Sequence, residues 1–119
     1  MRKSRKNVVI LGIIEDIIKR SHRDNSKMWR EIARRLSRSA SRSAEVNISR
    51  IARYTSESDV VAVPGKVLGS GIINHKVTVA AYAFSKKARE KIMNSGGECL
   101  SLTELAGRIP EGKGIRIME

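Results

Sequence analysis

DVVAVPGKVLGSGIINHKVTVAAYAF, residues 59–84, decides what kind of fold this chain can have. It opens on an apolar run, Asp59–Pro64, of strand length and rich in valine. It closes on Lys76–Phe84, an alternation dense in β-branched and aromatic residues. Both runs read as strands, the first buried and stopped by Pro64. Between them stand Gly65, Lys66, Gly69, Ser70 and Gly71, a composition that a phosphate-cradling loop can have.

The spacing excludes the familiar nucleotide loops. A P-loop ends in Gly-Lys-Ser/Thr at a helix start, whereas Lys66 precedes both Gly69 and Gly71. A dinucleotide fingerprint needs glycine at position 74, which is Asn74. No Asp or Glu is placed beside the loop to hold magnesium. Two readings of the loop stand side by side. It is a tight connection between strands, or its amides and Lys66 meet a phosphate.

Downstream, the punctuation is regular. Ser85 caps a helix over Lys86–Asn94 with Ala88, Ile92 and Met93 inward, and Gly96-Gly97 ends it. A short strand over Glu98–Leu100 follows. Ser101-Leu-Thr-Glu104 is a capping box that opens a helix reaching Arg108. Pro110, Gly112 and Gly114 form a turn before a last strand, Ile115–Ile117. Strand, strand, helix, strand, helix, strand makes an α/β fold, a small mixed sheet with helices packed on it.

Upstream, the period changes to helical. A first helix over Asn7–Ser21 places Ile10, Ile13, Ile14, Ile17 and Ile18 on one face. Asp24-Asn-Ser26 caps a second helix running to Arg38, with Trp29, Ile32, Ala33 and Leu36 inward. A third short helix is expected over Glu45–Tyr54, with Val46, Ile48, Ile51 and Ala52 inward. Ser37–Ser43 (SRSASRS) is a low-complexity, basic connection. RKSRK, Arg2–Lys6, is too charged to pack and reads as a mobile arm that a polyanion would order. Residues 1–53 thus form a basic helical region and 54–119 a mixed α/β core, together one domain.

Charge is the strongest compositional signal. The chain of 119 residues has 24 Lys and Arg against 12 Asp and Glu, a net charge of +12. Residues 1–53 hold +10 of it (15 basic, 5 acidic) and residues 54–119 only +2 (9 and 7). A polyanion, nucleic acid first, is the expected partner. Lys27, Arg30, Arg34 and Arg38 step along the second helix by three or four, with Arg35 beside them and Glu31 the only acid. Arg50 and Arg53 share the outer side of the third. With the arm (Arg2, Lys3, Arg5, Lys6), the connection (Arg42), the glycine loop (Lys66, Ser70) and Lys76, these are the candidate phosphate contacts. The four aromatics, Trp29, Tyr54, Tyr82 and Phe84, are too few for a binder built on base stacking.

Other classes find little support. No apolar run reaches the roughly 18 residues of a membrane span. The basic-then-apolar amino end lacks a small-residue cleavage site, so a soluble intracellular protein is expected. Cys99 is the sole cysteine and His22 and His75 are isolated, so neither disulfide nor metal site is expected, and Cys99 reads as a small buried residue. No nucleophile–base pattern appears, and no cofactor, small-molecule substrate or enzymatic activity is expected. An architectural DNA-binding protein, a nucleotide-dependent enzyme using the glycine loop, and a protein-interaction module using the balanced second half are the alternatives.

Several segments, in order, resemble one family. Lys66–Gly71, Val77-Thr-Val-Ala80, Ala83-Phe84-Ser85, Ala88, Ile92 and Gly96-Gly97 resemble the domain shared by bacterial large-subunit ribosomal protein fifteen and its archaeal and eukaryotic relative, protein eighteen-e. Glu45–Ile51 and Val63–Gly71 are similar to the latter's own segments, and the end soon after Ile117 is similar to its archaeal type. The resemblance covers residues 45–117 well and the first helices more loosely. It implies irregular strand-strand-helix turns preceded by a basic helical region. It also implies a cytoplasmic place in the large ribosomal subunit, with large-subunit ribosomal RNA and neighbouring ribosomal proteins as partners.

Overall fold

The computed structural model describes residues 6–38 and 44–119; of Lys6, Asn7 and Arg38 it describes the backbone. Arg2, Lys3, Arg5 and Arg42 lie outside the described residues. In chain order the elements are α1 (Lys6–Arg23), α2 (Lys27–Arg38), β1 (Ala44–Asn47), α3 (Ile48–Tyr54), β2 (Asp59–Leu68), β3 (Val77–Phe84), α4 (Lys86–Asn94), β4 (Glu98–Ser101), α5 (Leu102–Arg108) and β5 (Ile115–Ile117). The α/β class and the helical amino-terminal region hold. Every strand pairing among the described residues is parallel.

β2 is central. β3 lies on one side of it, with β4 beyond. On its other side β5 pairs with Val60–Ala62 and β1 with Gly65–Leu68. Parallel strands need cover on both faces, and two buried clusters supply it. One joins Ile10, Ile14 and Ile17 of α1 and Trp29, Ile32 and Leu36 of α2 to Leu102 and Leu105 of α5. The other joins Val46, Ile48 and Ile51 to Val61, Val63, Val79 and Ile92.

Pro64 does not end β2. The pairing with β3 breaks after Val63 and resumes at Lys66, so the residue without an N–H sits where no ladder bond is required. Beside it Gly65 admits β1, because a Cβ there would lie 2.1 Å from the Ala44 carbonyl oxygen. That approach also corrects the third helix. Ala44–Asn47 are a strand on β2, with Val46 buried and Glu45 and Asn47 exposed, and the helix begins only at Ile48. Burial of Val46 suits both periods, and pairing with a glycine-bearing strand decides between them.

The connection over residues 69–76 is not a tight turn. β2 and β3 are parallel, and Val77 pairs with Asp59 at the opposite end of β2 from Leu68. At about 3.3 Å per residue the return spans on the order of 30 Å, so the segment runs nearly extended. It is held by its neighbours on the α3–α4 side. Ser49 N donates to Ser70 O at 2.9 Å. Lys91 Nζ donates to Gly69 O and Gly71 O, each at 2.6 Å. Thr55 Oγ1 lies 2.8 Å from His75 Nε2, and Ile73 is buried.

The caps stand as read. Ser26 Oγ accepts from Trp29 N at 3.2 Å, Ser85 Oγ from Ala88 N at 3.1 Å, and Ser101 with Glu104 closes a capping box. Trp29 is fully buried, and its indole N–H donates to Ile109 O at 2.9 Å, pinning α2 to the turn after α5. Two inward assignments fail. Met93 is 55% exposed, because Ala88 and Ile92 alone fill the α4 seam. Ile18 is exposed too, at the margin of a stripe centred on Ile10, Ile14 and Ile17. Cys99 is half-buried rather than buried, and desolvation raises its thiol pKa.

Candidate nucleic-acid interface

The α2 stripe exists, but part of its charge is engaged within the chain. Trp29, Ile32 and Leu36 turn the other side inward, which leaves Lys27 and Arg34 exposed and Arg30 half-buried. Glu31 accepts from Arg34 Nε at 3.1 Å, from Arg34 Nη2, and from Arg35 Nε at 2.7 Å. Arg35 Nη1 also donates to Glu119 at 3.1 Å. The hydrogen bonds from Arg34 first, then Arg35, lower the Glu31 pKa to about 2. Arg34 and Arg35 therefore already share one carboxylate. Arg35 is 28% exposed in its side chain and is paired with two carboxylates.

The remaining described candidates lie on other elements. Arg50 and Arg53 are exposed on α3, the former 5.6 Å from the centre of the Tyr54 ring. Lys66 is exposed on β2, Ser70 on the crossover segment and Lys76 just before β3. The structure brings Arg50, Arg53 and Ser70 onto the α3–crossover side. It does not gather them with the α2 stripe, which packs with the other cluster.

Because the strands are parallel, their carboxyl ends share one edge. Asn47, Leu68, Phe84 and Ser101 lie there, followed by α3, the crossover segment, α4 and α5. Lys86 and Lys87 open α4 at this edge, exposed and in no ion pair among the described residues, and sequence reasoning missed both. A signal was present. Positive side chains in a first helical turn oppose the helix dipole, so their placement there calls for a reason other than helix stability. Arg89 stacks 5.1 Å from the centre of the Phe84 ring.

The glycines of the opening stretch are tied to this edge by packing. Gly71 has φ +105°, and a Cβ there would lie 2.4 Å from Ser49 Cβ. A Cβ on Gly69 would lie 2.6 Å from Lys87 Cβ. Both positions are required by the chain's own neighbours. Among the described residues no group of three His, Cys, Asp or Glu could hold a metal ion. No helix among them is long and apolar enough to cross a membrane.

Residues 2–119 match the family described as ribosomal protein 60S L18 and 50S L18e. The chain belongs to this family. The large ribosomal subunit protein eL18 of Archaeoglobus fulgidus is 44% identical over 118 residues, covering 99% of each chain. The eL18 of Methanothermobacter thermautotrophicus is 42% identical over 116 residues, 98% of this chain and 96% of its own. That of Methanosphaerula palustris is 43% identical over 117 residues, 98% and 97% of the two chains. Membership extends over α1 and α2 as well as the α/β core, so the basic amino-terminal region is part of the 60S L18 and 50S L18e pattern.

Proposed function

We propose that the chain is a non-catalytic structural constituent of the large ribosomal subunit, in the cytoplasm, that binds and stabilises large-subunit ribosomal RNA. The observation that carries this reading is its end-to-end similarity to archaeal large-subunit proteins. The physics agrees. A net charge of +12 drives counterion release from a polyanion. The described surface puts cations both on α2 and at the carboxyl edge of the sheet. A rigid sheet between two cationic surfaces suits a protein that holds RNA segments in place by shape and phosphate contact.

Neighbouring ribosomal proteins are the second class of partner. The outer side of α1 supports this, since Val8 and Val9 are 70% and 58% exposed and Leu11 is 43% exposed. Residues 7–18 contain Glu15 and Asp16 and no Lys or Arg, so this surface suits an apolar protein neighbour better than a phosphate.

Sedimentation tests the reading. The chain is expected to remain with the large subunit through a high-salt sucrose gradient, and large-subunit RNA fragments are expected to displace it where duplex DNA does not. Release into the top fractions, or equal competition by DNA, would overturn it.

A further inference from the structure

The carboxyl edge contains a groove of about 590 Å³ whose walls come from two segments. Leu68, Gly69 and Ser70 form one wall, and Ser85, Lys86 and Lys87 the other, with Lys91 beneath. No carboxylate lines it. Backbone oxygens that would repel an anion are engaged in hydrogen bonds. Gly69 O and Gly71 O accept from Lys91, and Ser70 O accepts from Ser49 N. Lys91 is thereby fixed as the part that shapes the floor.

Lys86 and Lys87 have no such internal task. Both are exposed, neither joins an ion pair among the described residues, and both stand at the helix end where positive charge is least favourable. A groove with donors at its walls, engaged carbonyls and two unpaired ammonium groups suits a single kind of ligand, a tetrahedral oxyanion. The groove is wide and open toward solvent, as a site on a continuous polymer must be. The α2 stripe packs with the other cluster, so the two cationic regions are separate.

We propose that this groove is a phosphodiester site, in which Lys86 and Lys87 hold a backbone phosphate of RNA while Lys91 maintains the wall. The proposal rests on the RNA-binding reading above and places part of that binding away from the α2 stripe.

The test compares the full chain with K86Q/K87Q and with K86R/K87R, measuring affinity for large-subunit ribosomal RNA fragments between 50 and 200 mM salt. Each lost phosphate contact lowers the salt slope by about 1, and the two lysines hold one phosphate, so K86Q/K87Q is expected to lose about 1 and the arginine pair to keep the wild-type slope. Equal melting temperatures show that the fold is unchanged. Wild-type binding with an unaltered slope in K86Q/K87Q would overturn the groove alone. Absence of wild-type binding would overturn the RNA-binding reading and the groove with it. Inorganic phosphate is titrated in parallel, followed by the amide resonances of Ser70 and Lys87. Saturable shifts together with an unaltered RNA slope would assign the groove to a small free anion and overturn the proposal.

Discussion

The α2 stripe and the carboxyl edge are both basic, and they are built in opposite ways. On α2 the cations are plain in the sequence, but Arg34 and Arg35 share Glu31, and Arg35 also meets Glu119. At the edge the cations are fewer, and Lys86 and Lys87 face solvent with no ion pair among the described residues. Spacing along a helix therefore counts charges without showing how many are free. Available charge depends on which carboxylates the fold brings near, and that is a tertiary property. Exposed ion pairs are weak in themselves, so their effect here is on electrostatic attraction more than on stability.

The largest expected effect breaks the edge itself. Gly71→Ala combines backbone strain of about 1–3 kcal/mol with overpacking against Ser49 of about 1–3 kcal/mol. A strong loss of stability in urea denaturation is expected for the free protein, with no RNA present. A normal melt would mean that the glycine is needed only for a ligand.

Lys91→Met comes next. It removes the ammonium from two carbonyls in a partly buried site. Hydrogen bonds to charged groups contribute about 1.5–3 kcal/mol, so a loss of that order is expected. Hydrogen exchange is expected to quicken around residues 69–73 before it changes in α2. Uniform loss of protection would contradict a local clamp.

A smaller effect concerns α2. Replacing Arg30, Arg34 and Arg38 by Gln is expected to weaken RNA binding and to lower the salt slope by less than the 3 that three independent phosphate contacts would give, because Arg34 already shares Glu31. Glu31→Gln is expected to move the slope the other way, steepening it by up to about 1 as the arginines are released. An unchanged slope in both variants would remove α2 from the RNA surface.

The smallest effect is on pH. Glu31 is held down to about 2 by Arg34 and Arg35. A depressed carboxylate stabilises the fold fully above its unfolded pKa and loses that contribution as pH falls through the folded value. Acid titration by NMR is therefore expected to show Glu31 still ionised when ordinary carboxylates have protonated, with the ion pairs lost only near pH 2. Titration in the ordinary carboxylate range would contradict the Arg34–Glu31–Arg35 geometry.

The α/β core was legible because its punctuation is chemical. Ser85, Gly96-Gly97 and the Ser101–Glu104 box mark element ends by hydrogen bonds that any sequence of that kind makes locally. Trp29, Ile32, Ala33 and Leu36 were legible because a helical stripe needs only its own period. What was hidden depends on pairing. Ala44–Asn47 become a strand only because Gly65 lets β1 approach, and Pro64 stays within β2 only because the register slips around it. The path of residues 69–76 was hidden for the same reason, since parallel pairing is not written in either strand. Once β2 and β3 are parallel, the connection must travel back, and Gly69 and Gly71 become the points where it touches α4 and α3.

Crosslinking in assembled large subunits tests the central claim most directly. Ribosomal RNA is linked to protein in place, and the attached residues are located by mass spectrometry. RNA adducts are expected at Lys86 or Lys87 as well as at Lys27 or Arg30, on two separate surfaces of one chain. Adducts confined to α2, with the carboxyl edge free of RNA, would contradict the account.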